Sequence, residues 1–111
     1  MSVYYTLATI QNNILTAIPA DVYANLGVPE QELHYSTVVP EVLGIPDTSE
    51  GMFLAPDNHR YFMGCFSRLQ QLPRNKSYYL SDEYYDRVRW LLQVWLALSN
   101  QLDQPVYLVW S

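Results

Sequence analysis

No lysine or arginine occurs in the first 59 residues. Every basic side chain lies between Arg60 and Arg89, whereas Asp21, Glu30, Glu32, Glu41, Asp47, Glu50 and Asp57 all precede Arg60. Six cations in a chain of net charge −5 argue against general nucleic-acid binding, because neutralising a phosphate backbone takes clustered Lys and Arg. One cysteine, Cys65, excludes an internal disulfide and suits either a reducing compartment or no redox demand at all. The glycines Gly27, Gly44, Gly51 and Gly64 form no phosphate-cradling run, so P-loop and dinucleotide fingerprints are absent. His34 and His59 are the only histidines and no cysteine pair accompanies them, so no zinc-ligand spacing exists and no cofactor is expected. The most apolar run, Trp90 to Leu98, is interrupted by Gln93 and falls well short of the roughly 20 residues of a membrane span. The N-terminus shows neither the basic region nor the clean apolar stretch of a signal peptide. The expectation is a soluble intracellular chain, cytoplasmic or built into a larger particle, with no membrane contact.

What is present is apolar and aromatic. Half of the 111 residues are hydrophobic and 15% are charged, well below the usual quarter, which is the opposite of a disordered composition. The length suits one compact domain. Ten tyrosines and three tryptophans suit half-buried positions and interfaces, since each joins a large ring to one polar group.

The local signals predict an α+β fold. Ser81 reads as a helix N-cap, followed by Asp82 and Glu83 where the helix dipole favours carboxylates, with Leu80 and Tyr85 placed as a hydrophobic staple. Tyr84, Val88, Leu91, Leu92, Trp95 and Leu98 recur at helical spacing, predicting a helix from Asp82 to about Gln101. Pro105 stops it, and Val106 to Trp110 suits a buried strand. Val3, Leu7, Ile10, Ile14 and Ile18 predict an N-terminal helix by period, against the strand preference of the neighbouring Thr and Tyr. Ala20 to Leu26 reads as a short helix ended by Gly27. Leu33 to Val39 reads as a strand, and Met52–Ala55 with Arg60–Phe66 as a hairpin around Pro56-Asp57-Asn58-His59. Together these give an N-terminal helical region and a long C-terminal helix packed on a small, mainly antiparallel sheet.

Three constellations bear on chemistry. Asp57, His59 and Cys65 are the residues from which a thiol nucleophile, a base and an orienting carboxylate would be drawn, yet no family-type signature surrounds the cysteine, and buried structural cysteine is the commoner state. Glu41, Glu50 and Asp57 would supply a carboxylate pair, although acidic loop residues usually do no more than meet solvent. Arg68, Arg74 and Lys76 interleave with Tyr78 and Tyr79, a pattern of cations and stackable rings found on single-strand nucleic-acid surfaces; the plainer expectation is that these cations answer the acidic half.

With no catalytic motif, the leading expectation is a non-enzymatic protein–protein interaction or assembly module. It would bind a protein partner or itself through segregated acidic and basic surfaces, drawing on Glu30, Glu32, Glu41 and Asp47 on one side, Arg68, Arg74, Lys76, Tyr78 and Tyr79 on the other, and Trp110 at the terminal strand. Connector and cement proteins of viral particles meet this description. The alternatives are an acidic decoy that occupies a basic nucleic-acid-binding groove, and a small enzyme using Cys65 with His59.

Overall fold

The chain opens as a β-hairpin. β1 (Tyr4–Gln11) pairs antiparallel with β2 (Ile14–Ala17), and the two residues between them, Asn12 and Asn13, have φ of 52° and 64°. Positive φ at both central positions is the backbone of a type I′ turn, whose twist matches paired strands and which Asn tolerates better than most residues. A computed structural model of the chain describes residues 3–27, 33–34, 38–56, 59–73 and 81–111. The N-terminal helix expected from Val3, Leu7, Ile10, Ile14 and Ile18 is therefore replaced by strands. The helical spacing was coincidental: Leu7 is 1% exposed, whereas Ile10 and Ile14 are 45% and 66% exposed, so the set does not share one buried stripe. Strand preference and the Asn pair prevailed over period.

Beyond the hairpin, α1 (Ala20–Asn25) follows Pro19 and ends as expected at Gly27, which takes φ 72° and donates its N–H to the Ala24 carbonyl. β3 (Leu33–His34) pairs with Tyr4 and Tyr5 of β1. The strand expected to run on to Val39 does not: residues 35–37 lie outside the described residues, and Val38 already belongs to α2 (Val38–Leu43). Pro40 sits in the first turn of α2, where a missing N–H costs little because those donors have no intrahelical partner. Gly44 closes the helix at φ 74°, and its N–H and that of Ile45 both reach the Pro40 carbonyl.

β4 (Gly51–Leu54) appears where the first arm of the central hairpin was expected, but its second arm is helical, α3 (His59–Gln71). Phe62, Cys65 and Leu69 are its buried residues; they fall three and four positions apart, which is one face of a helix and both faces of a strand. Asp57 and Asn58, assigned to the turn, lie outside the described residues. α4 (Asp82–Gln101) and β5 (Tyr107–Trp110) match the reading of the sequence. Ser81 caps α4, its hydroxyl accepting from the Tyr84 N–H at 3.2 Å; Leu80, the other half of the expected staple with Tyr85, lies outside the described residues.

The sheet runs in the order β2-β1-β5-β4, every pairing antiparallel, with β3 beside the N-terminal part of β1. The fold is α+β. Tyr5 and Leu7 of β1 and Leu108 and Trp110 of β5 point to one face and are at most 4% exposed. Together with Val42, Phe62, Val88, Leu92 and Trp95 they belong to one buried cluster under the helices. The fully buried Trp95 donates its indole N–H to the Val106 carbonyl at 2.9 Å and meets Phe53 and Phe62 edge-on. No described helix is long and apolar enough to cross a membrane.

Trp95→Phe keeps an aromatic ring but leaves the Val106 carbonyl unpaired, and should cost about 2–3 kcal/mol, seen as a melting temperature lower by about 10 °C or more. Gly51 stands opposite Trp110, and a Cβ there would collide with the indole ring. Gly51→Ala should therefore destabilise by more than about 2 kcal/mol in urea titrations, although alanine normally suits a strand better than glycine.

Candidate interaction surface

The outer face of the sheet follows from the register. Cross-strand partners share a face, so opposite the buried set stand Thr6, Val109 and Met52 in one row and Ala17, Ala8, Tyr107 and Leu54 in the next, with Leu15 and Ile10 paired beyond. None of these residues is charged. Ile10 is 45% exposed, Leu15 39%, Met52 56% and Leu54 43%, in contrast to the sealed inner face. Ala8, in the middle of this face, is nevertheless 2% exposed, and Leu54, at the end of β4, also lines a cavity with Phe62 of α3 and Leu96 of α4. An antiparallel sheet with one solvated face usually alternates apolar and polar residues; here both faces of β4 and β5 are apolar. With strands about 4.8 Å apart and a rise of about 3.3 Å per residue, the face covers roughly 300 Å², the lower end of the largest apolar patch on a typical monomer.

The thiol lies elsewhere. Cys65 is fully buried on α3. Arg68 donates from Nε to the Val42 carbonyl at 2.7 Å and from Nη2 to Cys65 Sγ at 3.4 Å, and the Tyr61 hydroxyl donates to the Leu43 carbonyl at 2.9 Å. These contacts satisfy carbonyls at the C-terminal end of α2 that have no intrahelical donor. Burial pushes the Cys65 thiol above its ordinary pKa, outweighing the nearby Tyr61 hydroxyl and the Arg68 charge, which pull the other way. Burial, and then the neighbouring Cys65, likewise raise the Tyr61 phenol. A raised thiol pKa is the reverse of nucleophile activation.

A cavity of about 510 Å³ lies between β4, α3 and the end of α4, lined among others by His59, Phe62, Asn100, Asp103 and Val106. Cys65 is not part of that lining. His59 and Cys65, six positions apart on one helix, point about 120° apart, so the structure does not bring them together. Among the described residues no group of three or more His, Cys, Asp or Glu is placed to hold a metal ion.

The residues singled out from sequence are dispersed. Glu41 lies exposed on α2, and Asp47 is exposed in the loop before β4. Arg68 is engaged with α2. Arg74, Lys76, Tyr78, Tyr79, Glu30 and Glu32 lie outside the described residues. Trp110 is 4% exposed, its N–H donating to the Thr48 carbonyl at 3.0 Å and its ring beside Tyr5; it belongs to the core and is not a surface anchor. Arg87 pairs with Glu83 at 3.1 Å and Arg89 with Asp86 at 3.5 Å, each within α4, so these two cations answer local carboxylates and not the acidic half. The outer-face residues were missed from sequence. The available signal was Asn12-Asn13 between Thr- and Ile-rich segments, which marks a hairpin.

The chain matches no protein-family model, no curated protein and no solved structure.

The thiol should react with a disulfide reagent in the native state at least a hundredfold more slowly than in urea, as expected of a buried, poorly ionised cysteine. The raised pKa values carry a pH consequence. In the folded chain Cys65 and Tyr61 hold protons that the unfolded chain releases above about pH 8.5 and pH 10, so stability falls as pH rises beyond that range. Urea midpoints should stay level with respect to these groups up to about pH 8.5 and decline through pH 9–11, with a shallower decline for Tyr61→Phe.

Proposed function

We propose that this chain is a non-enzymatic assembly module that associates with a second copy of itself through the outer face of its sheet. The observation that carries the reading is a sheet face with no charged residue, on which Ile10, Leu15, Met52 and Leu54 are 39–56% exposed. Burying such a face releases water from apolar surface at about 25 cal/mol per Å². A second copy suits it for two reasons. The chain carries net charge −5, and the outer face is where two copies can meet without opposing like charges. The face also offers each partner an area that, doubled, reaches roughly 600 Å², below that of stable complexes and in the range of weak, reversible contacts.

This places the driving force in apolar burial and not in the segregated charge that the sequence draws attention to. The two have opposite salt dependence. Attraction between acidic and basic surfaces weakens as salt screens it, whereas contact of neutral faces on two net-negative molecules is unchanged or strengthened.

Sedimentation velocity from about 10 µM to 1 mM should show the 12.9 kDa chain passing to twice that mass, with a Kd of about 10–1,000 µM. Salt raised from about 0.05 to 0.5 M should leave the dimer fraction equal or higher. Leu54→Lys reduces the net negative charge yet should abolish the dimer, while Met63→Lys, at a similarly exposed position on α3 (42%), should not. A strict monomer at 1 mM, or dimers lost at high salt, would overturn the reading.

A further inference from the structure

We infer that the cavity between β4, α3 and the end of α4 binds a small organic cation, a protonated amine carried on an apolar aromatic body. Self-association is not required for this: of the cavity's lining, only Leu54 also stands on the outer face of the sheet. At about 510 Å³ the cavity falls within the range of roughly 300–1,000 Å³ that small-molecule sites occupy. Its floor is apolar. Phe62 and Val106 are each 2% exposed, and Leu96 and Leu102 extend the floor to either side. Trp95 fixes that floor from behind, meeting Phe62 edge-on at 5.5 Å and holding the Val106 carbonyl. A floor that is already packed has little freedom to lose when a ligand settles on it.

The charge of the ligand follows from the polar wall. No lysine or arginine lines the cavity, whereas Asp103 brings a carboxylate. Arg60 follows His59 on α3 but is not part of the lining. Asp103 makes no ion pair among the described residues. Just before it α4 ends at Gln101, with no basic residue in its last turn. The last carbonyls of a helix lack intrahelical donors and form the negative end of its dipole, so carboxylate and helix end act in the same sense. The side chains beside them accept hydrogen bonds. The Ser99 hydroxyl gives its proton to the Trp95 carbonyl at 2.8 Å, which leaves its oxygen to accept, and Asn100 offers an amide oxygen. An ammonium group brings three donors and no acceptor, which matches this wall; an anionic head would meet Asp103 and the helix end with no cation to offset them.

The test titrates phenylbutylamine, phenylbutanol, phenylbutyrate and butylamine into the isotope-labelled full-length chain at low salt, read by amide chemical shifts. Shifts should centre on Phe62, Leu96, Asn100 and Val106, with a Kd of about 1 mM for phenylbutylamine. Phenylbutanol should bind about threefold more weakly and phenylbutyrate about tenfold more weakly. Butylamine presents a lysine side chain without a ring and should also be about tenfold weaker, which separates a free aromatic amine from a basic residue of a protein. Asp103→Asn, at an exposed position, should bring amine and alcohol within about twofold of each other. Asp21→Asn, which removes an exposed carboxylate on α1, should leave their ratio unchanged. Shifts centred elsewhere, no saturation by phenylbutylamine at about 10 mM, alcohol or acid bound as tightly as the amine, a preference for the amine kept in Asp103→Asn, or butylamine as tight as phenylbutylamine would each overturn the assignment.

Discussion

The pairing of β5 between β1 and β4 is the constraint on which the rest depends. The ladder that joins the N-terminal hairpin to β4 runs through this four-residue strand. It is fixed from two directions: Trp95 on α4 holds the Val106 carbonyl just before the strand begins, and Trp110 at its end reaches the Thr48 carbonyl just before β4. Both indoles thereby place a large apolar ring in the core while pairing their one polar atom. Gly51 completes the arrangement, because the Trp110 ring occupies the space a side chain would take. The last strand must thus find partners near both ends of the sequence, a topology dominated by non-local contacts, whose loop-closure cost is met before the contacts reward it.

Such a sheet has two faces, and the helices seal one. Aromatic rings meeting edge to face, Phe53 and Phe62 against Trp95, fill the space between sheet and helices. On the other face the residues directly opposite one another across β1, β5 and β4 are uncharged, and Met52 and Leu54 are exposed. The exposed acidic groups Asp21, Glu41, Asp47 and Glu50 are carried by α1, α2 and the loop before β4, not by that face. Negative charge elsewhere on the surface limits indiscriminate contact between copies, and the neutral face is where contact carries no electrostatic cost. The tyrosines divide accordingly: Tyr5, Tyr23, Tyr84 and Tyr85 are buried, and Tyr107 stands on the outer face.

Legibility in the sequence followed the length of the element. α4 is 20 residues long and repeats its apolar spacing often enough that period, cap and dipole agree; its start at Ser81 and the terminal strand after Pro105 could be read directly. Short segments carry too few repeats for period to discriminate. Leu7, Ile10 and Ile14 fit a helix by count and a hairpin by propensity, and the Asn12-Asn13 turn decides between them. Phe62, Cys65 and Leu69 lie within a segment whose β-forming neighbours masked their helical spacing, and Val38 to Leu43 contains a proline that reads as a breaker until its place in the first turn is known. The outer face was illegible for a different reason. Whether Met52 or Leu54 meets solvent depends on which side of the sheet the helices take.

The sequence by itself determined composition-level properties and strong local structure: the charge asymmetry, the absence of an internal disulfide, a helix from Asp82, a strand ending at Trp110 and an α+β class. These depend on residue type and on neighbours within a few positions. Tertiary structure alone decided that Trp110 is core, that Cys65 is sealed beneath α2 and held protonated, that His59 and Cys65 point apart, and that Ala17, Ala8, Tyr107 and Leu54 form one row. Each of these rests on strand register and on layer order. A shift of one residue in register would exchange the two faces of a strand, and no local pattern fixes which partner a strand will find a hundred residues away.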